Sequence, residues 1–181
     1  DTEALVNWAL ELVDSSSNTA RVLDLGTGSG AIALAIAAQR PRASMSATDA
    51  SEEALAVARG NARRLGLPVR FHAGSWLAAV PGQRFDVIVT NPPYIADGDP
   101  HLAALTHEPL SALTAGADGL DDIRTIIYNA SNALLPGGWL LIEHGFDQAA
   151  AVRALLQAAG FDHVSSRTDL AAIERCSGGQ W

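Results

Sequence analysis

Four consecutive residues, Asn91-Pro92-Pro93-Tyr94, have the chemistry to hold a planar nitrogen. Two prolines in succession fix the backbone and remove two amide donors, which leaves the carbonyls there free to accept. The Asn91 amide offers both a donor and an acceptor, and Tyr94 adds a flat face and a hydroxyl. Together they make a rigid pocket for an amide, an amidine or an aromatic amine. A plain turn, which also favours Asn and Pro, is the alternative. A second group lies upstream, in Asp24-Leu25-Gly26-Thr27-Gly28-Ser29-Gly30-Ala31. Glycines at alternate positions let a ligand lie against the backbone where a Cβ would clash. Gly26, Thr27, Gly28, Ser29 and Gly30 therefore read as a cradle for a nucleotide-like cofactor at a helix N-terminus, or as a tight strand-to-helix turn. The pattern G-x-G-x-G is one residue short of the dinucleotide fingerprint, and no Lys-Ser/Thr follows as in a P-loop.

Asp49 stands about twenty residues beyond that loop, where a carboxylate accepts hydrogen bonds from both hydroxyls of a ribose. Otherwise Asp49, or Ser51 after it, merely caps the next helix. Asp24 is placed to order the glycine loop or to meet an amino group of the ligand. Trp76 reads either as an apolar cover for a flat base or as ordinary core packing. Glu143 and His144 are candidate proton acceptors, with a structural role the more natural one.

These residues sit where alternating elements would place them. Leu5, Trp8, Ala9 and Leu12 recur at helical spacing before a polar break at Asp14–Asn18. Strands are expected over 21–25, 43–48, 69–72, 85–90 and 139–143. Helices are expected over 31–39, 51–65 (capped by Ser51, closed by Gly66), 121–135 (ending at Pro136-Gly137-Gly138) and 147–159. Residues 163–167 and 171–176 suggest a terminal antiparallel pair. Strand–helix repeats with near-continuous apolar strands mean a parallel sheet covered on both faces, which binds ligands beyond the carboxyl ends of its strands. The motifs fall there.

Composition narrows the classes. With 181 residues, 48% of them apolar and 18% charged, the chain is globular and fits one domain of residues 1–181. One cysteine, Cys176, excludes an internal disulfide framework, and the five scattered histidines show no metal-ligand spacing, so no metal is expected. No apolar stretch approaches the ~20 residues needed to span a bilayer, so no membrane is expected. The acidic Asp1-Thr2-Glu3 start does not resemble a secretory leader, and a cytoplasmic location is the expectation. A net charge of −8 argues against a partner gripped by its phosphates, so no direct nucleic-acid contact is expected.

The glycine spacing is similar to motif I of class I S-adenosylmethionine-dependent methyltransferases. With Asn91-Pro92-Pro93-Tyr94-Ile95 added, the sequence resembles the HemK/PrmC-type protein-(glutamine N5) methyltransferases, which modify the Gly-Gly-Gln glutamine of peptide chain release factors. The likeness runs through Ala31-Ile32-Ala33-Leu34, Glu108-Pro109 with Ala112-Leu113, and Asp118-Gly119-Leu120 with Arg124. It continues in Pro136-Gly137-Gly138, in Glu143-His144-Gly145 with Gln148, and in Asp169-Leu170 with Glu174-Arg175.

The resemblance implies an α/β fold: a Rossmann-like, doubly wound, mostly parallel seven-stranded sheet with an antiparallel terminal strand. It implies S-adenosylmethionine as cofactor, with S-adenosylhomocysteine as product, and release factors as protein substrates. Asp24, Gly26 through Gly30, Asp49, Trp76 and Asn91 would meet the cofactor, while Ser75 replaces the acidic residue that many methyltransferases aim at the adenine amino group. Asn91, Pro92, Pro93 and Tyr94 would hold the glutamine, with Asn91, Pro92 and Tyr94 carrying catalysis. Residues 1–181 would be the catalytic domain, without the family's N-terminal helical docking domain. The tail Gly178-Gly179-Gln180-Trp181 spells the substrate tripeptide, by coincidence or as an occupant of its own pocket. Two other functions remain open: a nucleic-acid exocyclic-amine methyltransferase and a non-catalytic S-adenosylmethionine-binding module.

Overall fold

A computed structural model describes residues 2–15, 19–97 and 113–181. Asp1, Ser16–Asn18 in the polar break, and the Glu108-Pro109 and Ala112 positions lie outside the described residues. The chain runs α1 (Thr2–Ser15), β1 (Arg21–Leu25), α2 (Ala31–Gln39), β2 (Ser44–Asp49), α3 (Glu52–Leu65) and β3 (Val69–Ala73). A short 3-10 turn, Trp76–Ala79, precedes β4 (Phe85–Thr90), α4 (Asp121–Ala130), β5 (Leu134–Glu143), α5 (Ala149–Ala158), β6 (Asp162–Thr168) and β7 (Glu174–Gln180). Among the described residues seven strands form one sheet in the order β3-β2-β1-β4-β5-β7-β6. β1 through β5 are parallel, and β7 is antiparallel to both β5 and β6. This is the expected doubly wound class.

Strand alternation sorts the core into two layers. Val22, Val87, Val89 and Leu141 face one cluster with Leu5, Trp8 and Ala9 of α1 and Ile32, Ala33 and Ile36 of α2. Leu23, Leu25, Ile88, Leu140 and Ile142 face the other, with Ile123, Ile126 and Ile127 of α4 and Val152 and Leu156 of α5. α3 shows how local chemistry bounds a helix. The Ser51 hydroxyl accepts from Ala54 N at its start, Glu52 and Glu53 occupy the positive end, and Gly66 closes it with φ 67.

Three expectations shift. The helix expected over 121–135 ends at Ala130, and β5 begins at Leu134, so Pro136-Gly137-Gly138 lies inside a strand and not at a helix end. Asn129, Ser131 and Asn132 are weak helix formers, and the fully buried Leu134 pairs with Phe85. The next paired residues are Val87 and Trp139, so Leu135–Gly138 form an irregular insertion opposite Asp86 alone.

The last strand is Glu174–Gln180, not 171–176. The Asp169 carboxylate turns residues 169–173 by accepting from Ala171 N at 2.8 Å and Ile173 N at 3.1 Å. The Gly-Gly-Gln tail is therefore sheet. Gly178 lies against Leu141, where a Cβ would come within 2.5 Å of the Leu141 Cδ2. Gln180 pairs opposite Trp139, and its Nε2 donates to Gly137 O at 2.9 Å. That is the end of the sheet remote from the carboxyl rim, so the tail does not occupy its own pocket.

Trp8 ties α1 to the sheet. It is 3% exposed, its ring lies 6.0 Å from that of Trp139, and the Arg167 guanidinium sits 4.5 Å from it on β6. Trp8→Ala is expected to cost about 3–5 kcal/mol. For a chain of this size that is a fall of roughly 10 °C in thermal midpoint, measured by circular dichroism.

Candidate active site

Four parallel strands end in register. Leu25 of β1 stands opposite Thr48 of β2 and Thr90 of β4, and Thr90 stands opposite Ile142 of β5. The next residue in each chain is Gly26, Asp49, Asn91 and Glu143, so these four line up along the carboxyl rim. Two hydrogen bonds lock the row. The Thr90 hydroxyl donates to Leu25 O at 2.9 Å, and Thr27 N donates to Thr48 O at 2.9 Å.

The glycine loop is held from every side. Asp49 Oδ2 accepts from Gly28 N and Oδ1 accepts from Ser51 N, each at 2.9 Å. Asn61 on α3 donates to Ser29 O at 3.0 Å, and Gly30 N closes the turn onto Thr27 O at 2.8 Å. Asp24 lies fully buried beneath. Its Oδ2 accepts from the Thr27 hydroxyl at 2.6 Å and from Ala33 N, one of the helix-start donors of α2, at 3.2 Å. Asp24 thus orders the loop, as the first of its two expected roles requires. Its Oδ1 is buried with no partner, and burial pushes the carboxyl up to about 7 against the pull of both hydrogen bonds.

Trp76 lies across Gly26. Gly26 has φ +68, and a Cβ there would fall 2.9 Å from the indole Cζ3, so both dihedral and space require glycine. The indole Nε1 donates to Asp122 Oδ1 on α4 at 3.2 Å, and the ring packs against the α4–α5 core cluster. Trp76 itself adopts φ 45, a region that bulky residues rarely enter. Covering the loop and packing on the core are thus both properties of this residue.

At the end of β4, Pro92 is buried and Asn91, Pro93 and Tyr94 are half-buried, all through trans peptides. Among the described residues the Asn91 side chain has no hydrogen-bond partner. Beyond it, Ile95 N donates to Leu113 O at 2.9 Å and Ile95 O accepts from Ala115 N at 3.1 Å. His144 is fully engaged, with Nδ1 paired to Gly145 O at 2.9 Å and Nε2 to the Ser177 hydroxyl at 2.7 Å. Burial lowers its pKa, and burial raises that of neighbouring Glu143. Glu143 is buried as well, and its Oε2 has no hydrogen-bond partner. Among the described residues no three His, Cys, Asp or Glu side chains cluster as metal ligands, and no helix is long and apolar enough to cross a membrane.

Sequence reasoning missed Thr48, Asn61, Thr90 and Asp122, which touch the motifs only through the fold. The features that suit a bound group are the unpartnered Asp24 Oδ1, the open space above Gly28 and the unengaged Asn91 amide. Asp24 also sets a pH dependence. With its pKa about 7 when folded and ~3.9 when unfolded, it favours the fold fully below pH 4. That contribution fades as pH rises through 7. Asp24→Asn removes the titration, so between pH 5 and 8 wild type is expected to lose about 2–3 kcal/mol relative to the variant, by urea denaturation at each pH.

A family model described as the methyltransferase small domain matches residues 6–112. The release factor glutamine methyltransferases of Burkholderia pseudomallei and Bordetella pertussis are each 56% identical over 99% of this chain, which spans 66% and 67% of their lengths. Among solved structures, a release factor-specific protein-(glutamine-N5) methyltransferase from Alicyclobacillus acidocaldarius aligns with a TM-score of 0.61 and 29% identity, over 99% of this chain and 90% of that one. A ribosomal protein L11 methylase from Lactobacillus delbrueckii, at 20% identity and a TM-score of 0.71 over 99% of this chain and 80% of that one, shares the fold. This chain belongs to the methyltransferase small-domain family, among the release factor glutamine methyltransferases.

Proposed function

We propose that residues 1–181 transfer a methyl group from S-adenosylmethionine to the side-chain amide nitrogen of the Gly-Gly-Gln glutamine in peptide chain release factors. On this reading the reaction belongs to translation termination, in the cytoplasm. The observation that carries it is the Asn91–Tyr94 corner, one residue beyond the Leu25–Thr90 pairing that sets it beside the glycine loop. The names of the 56% identical relatives support the same reaction.

Bound S-adenosylmethionine supplies an activated methyl on a positively charged sulfur. Asp49 has lone pairs left for ribose hydroxyls, Asp24 Oδ1 suits a cationic donor, and the Gly26–Gly30 backbone with Trp76 walls the site. A primary amide nitrogen is a poor nucleophile because its lone pair is delocalised into the carbonyl. The Asn91 Oδ1 and the Pro92 carbonyl accept the two amide protons and fix the direction of the nitrogen, while Tyr94 packs on the amide plane. Orientation of this kind contributes several kcal/mol. No strong base is needed before attack, since the surplus proton leaves readily once the nitrogen is alkylated. The engaged ring nitrogens of His144 agree with that.

Mass spectrometry of a release factor incubated with the protein and S-adenosylmethionine is expected to show one added methyl on the Gly-Gly-Gln glutamine. Asn91→Ala is expected to slow that transfer about 100-fold or more while the cofactor dissociation constant, by calorimetry, stays within a few-fold. Methylation of DNA or RNA in place of the release factor would overturn the substrate assignment.

A further inference from the structure

The Asn91–Tyr94 corner has no strand behind it. β4 ends at Thr90, and the two prolines bring no N–H with which to tie the loop to its surroundings. A side chain from a distant part of the chain reaches one of its carbonyls, Tyr94 O.

Gln148 precedes α5, after the carboxyl end of β5. Its amide Nε2 donates to Tyr94 O at 3.0 Å and also lies 3.2 Å from Asp118 O and 3.5 Å from Gly119 O. Its Oε1 accepts from Gly145 N at 2.9 Å, which fixes which way the amide faces. A single planar group thus joins the loop after β4, the loop before α4 and the loop after β5. Gly119 packs tightly against this contact: a Cβ there would fall 2.3 Å from Tyr94 O and 2.9 Å from Gln148 Nε2. The Asp118–Gly119 segment is itself braced, because Arg124 pairs with Asp118 at 2.5 Å and Leu120 N donates to Asp118 Oδ1 at 3.1 Å. The arginine holds the Asp118 carboxyl at about 2.

We infer that Gln148 is a positioning residue for methyl transfer, acting through the Tyr94 carbonyl, with the side-chain-free Gly119 leaving room for that contact. This rests on the proposed reaction. Displacing the corner by even about 1 Å spoils the approach of the acceptor nitrogen without touching the glycine loop or Asp49. The role belongs to this amide because one group must donate to Tyr94 and accept from Gly145 at once. Glutamate at the same position keeps the acceptor and loses the donor.

The test compares wild type, Gln148→Glu and Gly119→Ala in methyl transfer to a release factor, in S-adenosylmethionine affinity by calorimetry, and in hydrogen exchange. Both variants are expected to lose at least tenfold in kcat, with KM for the release factor and the cofactor dissociation constant within about threefold of wild type. Exchange in the peptide covering 94–97 is expected to rise at least fivefold, and that of β1 and α2 to stay unchanged. Wild-type kcat in Gln148→Glu overturns the inference. So does a loss of cofactor affinity in proportion to kcat, or exchange raised across the whole chain, since either marks a general structural defect. If wild type itself adds no methyl to the release factor, the proposed reaction fails. The exchange comparison then still decides whether Gln148 holds the corner.

Discussion

The site depends on a shared ending of neighbouring strands. Leu25 lies opposite both Thr48 and Thr90, and backbone and hydroxyl hydrogen bonds at 2.9 Å secure the pairings on either side. A strand advances about 3.3 Å per residue and turns each side chain to the opposite face. A slip of one residue between β1 and β4 would carry Asn91 a full step from the glycine loop and bury the wrong face of β4. The core forbids that slip, because Val87 and Val89 belong to one apolar layer and Ile88 to the other. Packing of the strand just beneath the rim thus determines which two loops become neighbours.

Carboxylates then do most of the work of shaping the loop. Asp24 and Asp49 each accept from backbone N–H groups of the strand-to-helix turn, where the helix start concentrates positive partial charge. The two differ in solvation. Asp49 is partly exposed and accepts two backbone bonds. Asp24 is fully buried with one oxygen unpartnered, so its ionisation is held back until a cation or a higher pH favours it. A chain with a net charge of −8 therefore keeps an uncharged acid beneath its glycine loop at low pH.

The second half of the rim is built by reach across the fold. Trp76 spans from the loop after β3 to Asp122 on α4, covering Gly26 on the way. Gln148 spans from the start of α5 to Tyr94. The parallel sheet brings strand ends together and leaves loops beyond them outside the ladder, and a side chain such as Gln148 satisfies a backbone carbonyl there.

The first four strands, the glycine spacing, Asp49 and the Asn91–Tyr94 corner were legible in the sequence. Apolar runs, breakers and proline rigidity are local properties that any fold must respect. The boundary of α4 was not legible, because Leu134-Leu135 suits a helix or a buried strand until Phe85 is available to pair with it. Nor was the placing of Gly178-Gly179-Gln180, where glycine serves the close approach of Leu141 and not a loose tail. Thr90 and Asp122 carry no motif of their own, and Gln148 enters the family likeness with no indication of what it touches. Their hydrogen bonds join residues 65, 46 and 54 positions apart, and only the folded chain decides such contacts.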